Sequence, residues 1–237
     1  MAGRIYRFNK QMTGYRDEIA GILERLREVA QESGLTVDTT IYERYGRDPR
    51  DPVLLGSGDL TSSLGIFGRD PGATEVELAE PFVGSGGQLV RKGLTEALGL
   101  PDSPEDPRRI GAGRNVFWAN TVPYKPVGNK AWPVSVRRRF GPIIADLLVN
   151  YWRGRDLLTL GNNAFFWFGL EDRVLMQRLQ EFWNREDRYE ANIRVSLCGR
   201  EITLYPLPHP SPLNARWFKA FPDLLRARLA QIGWPGG

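Results

Sequence analysis

The chain is nearly without histidine and cysteine, with one of each in 237 residues. A lone imidazole, His209, rules out a multi-histidine metal site and any mechanism that needs two histidines. A lone thiol, Cys198, excludes an internal disulfide and a cysteine-held cluster. It is expected to be buried and inert. No apolar run approaches the ~20 residues that a membrane-crossing helix requires. The opening Met1-Ala2-Gly3-Arg4-Ile5-Tyr6 lacks the apolar stretch of a signal peptide. The expectation is a cytoplasmic protein with no membrane contact and no metal or organic cofactor.

What is present is ordinary in bulk. Hydrophobic residues make up 41% and charged residues 25%, the balance of a globular protein with a substantial core. Aromatics reach 11%, including seven tryptophans, enough to fill a core and still leave rings for stacking. The net charge of +4 permits a polyanionic partner without demanding one.

Organisation follows from periodicity. Between Tyr15 and Glu32, the residues Ile19, Ile22, Leu23, Leu26 and Val29 form a helical stripe, with Gly34 as its stop. Residues 44–63 are rich in Gly, Asp, Arg and Pro and read as a long surface connection. Four short apolar runs follow: Leu64 to Phe67, Val116 to Ala119, Leu157 to Leu160 and Ile202 to Leu207. Helical patterns lie between them, at Gln88 to Leu98, Val134 to Tyr151 and Asp172 to Phe182, and a last helix starts near Pro222. Such alternation predicts a three-layer α/β/α sandwich around a mainly parallel sheet of about four strands. Ile193 to Leu197 and Ile202 to Tyr205 flank Gly199-Arg200, so a hairpin can add an antiparallel edge. No composition break divides the chain. The expectation is one domain, 1–237, with an N-terminal helix and connection over 1–63 and a core over 64–232.

Ligands of such folds bind beyond the carboxyl ends of the strands. The residues there carry chemistry. Gly68-Arg69-Asp70-Pro71-Gly72 follows the first strand, and Glu80-Pro81-Phe82-Val83-Gly84-Ser85-Gly86-Gly87 comes soon after. Glycines let a ligand approach backbone amides closely, and Phe82 offers a stacking ring. A second Gly-Arg-Asp-Pro string, at Gly46, has no strand before it and reads as a surface turn. Asn120 ends the second strand; its carboxamide both donates and accepts, so it can satisfy loop amides or read the edge of a pyrimidine. Gly161 to Ala164 follow the third strand. The last strand runs into Leu207-Pro208-His209-Pro210-Ser211-Pro212-Leu213, where prolines on both sides stiffen the loop that aims the histidine. Arg137-Arg138-Arg139 reads as a solvated helix face.

The order of these elements resembles the uracil-DNA glycosylase superfamily. The stretches at Gly68 and Glu80 are similar to the first motif of the iron–sulfur family 4 enzymes. Asn120-Thr121-Val122-Pro123-Tyr124-Lys125-Pro126, with Gly128-Asn129-Lys130, is similar to their second. His209-Pro210-Ser211-Pro212-Leu213 is closer to family 1. The resemblance runs from about Leu64 to Leu229. It departs where family 4 holds a cluster with four cysteines, since Tyr124 occupies the place of one of them. Arg69 stands where family 4 has an acid, and Asp70 matches the family 1 aspartate instead. Gly72 stands where family 1 has a tyrosine that excludes the thymine methyl.

The resemblance implies a monomeric DNA-repair glycosylase that releases uracil from uracil-containing DNA. Asp70 and His209 would be catalytic, the first stabilising a sugar cation and orienting water, the second donating to the uracil anion. Phe82 would stack on the base, Asn120 would select uracil over cytosine, and Gly68, Arg69 and Gly72 would complete the pocket. Ser85, Ser211 and Lys125 would contact phosphates, and Leu213 would fill the gap left by the flipped base. Two other classes stay open from the residues alone. One is an α/β hydrolase with Ser211 as nucleophile, disfavoured because Ser211 lies between prolines only two residues from the sole histidine. The other is a noncatalytic DNA- or nucleotide-binding module.

Overall fold

A computed structural model describes residues 17–32, 34–53 and 58–236. The opening segment and the helix start at Tyr15 lie outside the described residues. The elements run α1 (Ala20–Glu32), α2 (Thr39–Arg44), β1 (Leu64–Gly68), α3 (Ala73–Leu78), α4 (Ser85–Ala97), α5 (Ile110–Gly113) and β2 (Phe117–Asn120). Then come α6 (Val134–Asp146), β3 (Asp156–Leu160), α7 (Asn162–Phe166), α8 (Arg173–Trp183), β4 (Ile193–Leu197), β5 (Arg200–Leu207) and α9 (Ala215–Ile232).

The sheet has five strands in the order β2-β1-β3-β5-β4. Four are parallel, and the fifth, β4, pairs antiparallel with β5 at the edge. The expected count of about four becomes five because the hairpin strand joins the sheet. Every residue of β1 and β2 is buried, whereas β4 alternates toward solvent. Central parallel strands are covered on both faces, so their sequences are continuous apolar runs. Alternate residues feed opposite cores. Phe67, Phe117 and Leu157 pack with α1, α6 and α8 residues such as Ile22, Phe140 and Leu179. Ile66, Trp118 and Leu158 pack with Val90 and Leu94 of α4 and Leu225 and Leu229 of α9. That is the three-layer sandwich expected from the sequence.

Four local expectations need correction. The β4–β5 turn places Cys198 at φ 48° and Gly199 at φ 82°. Two successive positive φ values suit a tight hairpin, and they leave Cys198 exposed rather than buried. The last helix begins at Ala215 and runs through Pro222. Its buried stripe of Phe221, Leu225 and Leu229 outweighs the one backbone hydrogen bond that proline forfeits. The helix expected from Val134 to Tyr151 changes to a wider π turn at Leu147–Tyr151. The connection over 44–63 is not merely superficial, since Val53 and Leu60 are buried in it.

Candidate active site

The carboxyl ends of β1, β3 and β5 open onto one cleft of about 430 Å³. It is lined by the Gly68–Glu75 loop, Phe82, the Gly84–Gly87 turn, Leu160 and the His209–Leu213 loop. The loop after β1 is tied down from the neighbouring strand end. Thr121 donates its backbone N–H to Gly68 O at 2.9 Å and its hydroxyl to Arg69 O at 2.6 Å. Glu75, buried at the start of α3, accepts from Gly72 N at 3.0 Å and from Gly84 N at 2.7 Å. One carboxylate thus staples the two glycine-rich loops together. Sequence reasoning passed over it, although glycine followed three residues later by glutamate is a helix-start pattern.

Phe82 sits at φ 53°, a backbone region that non-glycine residues seldom adopt. Buried Arg91 holds it there, donating Nε to Phe82 O at 2.9 Å and Nη2 to Pro81 O. The Phe82 ring stacks on Trp118 with centroids 4.9 Å apart, and the Arg91 guanidinium lies over the same indole. A Cβ at Gly68 would come within 2.5 Å of the Phe82 ring, so glycine is what lets the ring lie against β1. The ring is thereby set as a rigid wall of the cleft. Arg91 was not expected from sequence; a basic residue among apolar helix positions was its only sign.

Asp70 has a side chain only 1% exposed. Arg69 Nε donates to its Oδ2 at 3.0 Å, while Oδ1 has no hydrogen-bond partner among the described residues. Burial pushes the Asp70 pKa up to about 6, against the opposing pull of Arg69, Lys125 and Arg137. His209 projects into the cleft and its residue is exposed there. Crowding by the surrounding protein, with a smaller contribution from the Arg69 charge, lowers its pKa to about 4. At neutral pH the site therefore pairs a carboxylate with a neutral imidazole. Such opposite displacement of two titratable groups is common where acid–base chemistry is done.

Of the remaining expected residues, Gly72, Ser85, Ser211 and Leu213 all line the cleft. Leu213 is 98% exposed, so it does not pack beneath its own loop. Asn120 lies beside Gly68 in the β1–β2 register and on the Trp118 side of the sheet. It does not line the cleft directly; it is buried, and its Oδ1 lacks a partner among the described residues. Lys125 is a correction. Its side chain is 3% exposed, with Nζ donating to Asp38 Oδ2 at 3.0 Å and to Pro126 O at 2.9 Å. An ammonium spent in this way is not a surface phosphate contact. The arginine run needs correction as well: Arg138 pairs with Glu171 at the surface, but Arg137 is buried and reaches toward Asn163 O.

A family model described as the Uracil DNA glycosylase superfamily matches residues 55–233. The chain belongs to the uracil-DNA glycosylase superfamily. The match spans all five strands and every loop that lines the cleft. A type-4 uracil-DNA glycosylase of Pyrobaculum aerophilum is 40% identical over 82 residues, which cover 34% of this chain and 35% of that protein.

The four-cysteine cluster that the family 4 resemblance implies does not fit this member of the superfamily. Its one cysteine lies in the β4–β5 turn, just before β5 and at the end of the sheet opposite the cleft. Where a cluster cysteine would stand, Tyr124 is fully buried against Phe140. Its hydroxyl donates to Arg50 O at 2.9 Å, and its carbonyl accepts from Trp132 Nε1 at 2.8 Å. Packing and hydrogen bonds thus tie Tyr124 to the Arg50, Trp132 and Phe140 segments. Among the described residues no helix is long and apolar enough to cross a membrane.

Proposed function

We propose that this chain is a monofunctional uracil-DNA glycosylase, hydrolysing the N-glycosidic bond of deoxyuridine in DNA to leave an abasic site. The observation that carries the proposal is the pairing of Asp70 with His209 in one cleft. Asp70, a buried carboxylate whose Oδ1 has no partner among the described residues, and His209, a neutral imidazole, line the same cleft. We further infer that residues 64–232 form the catalytic core of a single domain and that it acts as a monomer.

The target nucleotide leaves the helix, because the glycosidic bond cannot be reached within the stack. Its base slides against Phe82, a contact worth ~1–3 kcal/mol in comparable base–aromatic pairs. Asn120, buried beside Gly68 behind the present cleft lining, is reached as the base edge enters. It accepts from the N3–H of uracil through Oδ1, which has no partner among the described residues, and donates to O4. Cytosine reverses that pattern and would leave a buried carboxamide unpaired, which is what makes such discrimination large. Cleavage of the C1′–N1 bond sends its electron pair into uracil and leaves positive charge on the sugar. Asp70 stabilises that cation and orients the water that adds to C1′, taking up the proton the water loses. His209, neutral, donates a hydrogen bond to the anionic uracil O2, and amides near Gly68 and Arg69 add to it. Donors preorganised in this manner are worth ~3–4 kcal/mol each when removed from comparable sites. Ser85 and Ser211 contact the flanking phosphates, Ser85 at the N-terminus of α4 where the helix dipole favours an anion. Leu213 enters the space the base has left.

The test is direct. Purified protein is incubated with single- and double-stranded oligonucleotides carrying one uracil or one cytosine, and released base is measured. Uracil release with none of cytosine is expected. Binding without release would mark a noncatalytic DNA-binding module.

A further inference from the structure

We propose that Arg69 is a positioning residue: its guanidinium, pinned between Asp70 and the Asn129 carbonyl, holds one carboxylate oxygen so that the other is left for the attacking water. The inference rests on the glycosylase reading above and adds a role to that site. The two side chains are neighbours in sequence, and on an extended chain neighbours point apart. Here Arg69 turns back. Its Nε donates to Asp70 Oδ2 at 3.0 Å and its Nη2 to Asn129 O at 3.1 Å. Asn129 and Gly128 sit at φ 57° and 63°, a turn beyond β2 that presents this carbonyl. The guanidinium is therefore fixed by two separate loops, and a fixed guanidinium fixes the carboxylate.

The other charged groups around Asp70 do not replace it. Lys125, from the loop after β2, is spent on Asp38 and Pro126 O. Arg137, on α6, interacts with Asp70 through its charge, but its hydrogen bond goes to Asn163 O at 3.5 Å. His209, on the loop after β5, is neutral. Arg69 alone hydrogen-bonds the carboxylate among the described residues. A side chain as enclosed as Asp70 needs such a partner to stay ionised. With Nε and Nη2 both engaged by protein groups, Arg69 works at the cleft edge as a clamp on Asp70 and not as a two-pronged phosphate fork.

Arg69→Gln and Arg69→Lys test this in two readouts. The first is the Asp70 carboxyl titration, followed by carbon-13 NMR in the free protein with Asp70→Asn for assignment. The second is single-turnover uracil release against pH. In Arg69→Gln the Asp70 titration and the acid limb of the rate are both expected to move up by about one pH unit or more. The rate at neutral pH is expected to fall about tenfold or more, with DNA affinity changed less than about threefold. Arg69→Lys keeps the charge and should return the titration most of the way while recovering only part of the rate. An unmoved titration in a folded Arg69→Gln protein, or weaker DNA binding at an unchanged rate, would overturn the clamp. If the titration moves as expected but the wild type releases no uracil, the clamp stands and the glycosylase reading fails.

Discussion

Gly161 and His209 meet back to back: a Cβ on Gly161 would fall 2.9 Å from the Cβ of His209. Gly161 also holds φ at 84°, which side chains disfavour. The end of β3 thus makes the space in which the histidine loop settles. On its other side the loop meets α4, where a Cβ on Gly86 would be 2.0 Å from Pro210 O. Two glycines, on different elements, seat one loop.

Gly161→Ala is therefore expected to displace His209 and to strain the β3 turn. The combined cost should be about 1–3 kcal/mol of stability, from the left-handed backbone and the clash. The single-turnover rate should fall more than DNA affinity does, because the role proposed for the imidazole is on the leaving base. Thermal denaturation and single-turnover kinetics measure both. A variant with wild-type rate would show that the loop finds its position without Gly161.

Asp70→Asn should raise stability at neutral pH. The folded pKa of Asp70, about 6, lies above its ordinary value of 3.8. Between those values the folded protein binds more protons than the unfolded chain, so this group's contribution to stability is fully present below pH ~4 and lost as pH rises through ~6. An uncharged isostere removes that loss. The gain should be about 1–3 kcal/mol, at most about two pKa steps at ~1.4 kcal/mol each, the pull of Arg69 being already contained in the folded pKa. Denaturant unfolding at pH 3.5 and pH 7.5 checks it: the difference between variant and wild type should be largest at the higher pH. A variant less stable at pH 7.5 would mean that the Arg69 ion pair outweighs the burial of the charge.

Leu213→Ala should harm duplex substrates most. Extruding a base from a duplex costs a few kcal/mol of stacking and pairing, and a single strand has less to lose. An exposed leucine beside the cleft is placed to fill the gap, and alanine is too short to do so. Rates are compared on paired uracil, mismatched uracil and a single strand, with losses expected to shrink in that order. Equal losses on all three would instead show that Leu213 does not act in the gap left by the flipped base.

Much of this arrangement could be read from the chain, and the exceptions share a physical reason. β1, β2 and β3 are buried on both faces, so their apolar runs stand out, and the topology then delivers Asp70, Phe82 and His209 to one edge without further information. Long cationic side chains are harder. Lys125 turns inward because Asp38, far away in sequence, waits for it, and Arg137 because α6 faces the sheet. Neither partner is visible locally. Glu75 and Arg91 act on backbone groups of loops whose conformations arise only in the folded molecule. Cys198 is exposed because of a hairpin twist, which its ordinary preference for burial does not report. Pro222 is a good first residue for a helix, but the stripe on both sides of it decides where α9 begins.

The most direct measurement is single-turnover release of uracil from an oligonucleotide containing one deoxyuridine, by the wild-type protein and by Asp70→Asn, with DNA affinity measured in parallel. The wild type should leave one alkali-labile abasic site per uracil. Asp70→Asn should bind the DNA nearly as well and cleave at least ~10²-fold more slowly, since the role proposed for the aspartate charge is on the cationic transition state. A wild-type protein that releases no uracil, or an Asp70→Asn protein that cleaves at the wild-type rate, would contradict the assignment of Asp70 as the catalytic carboxylate of a uracil-DNA glycosylase.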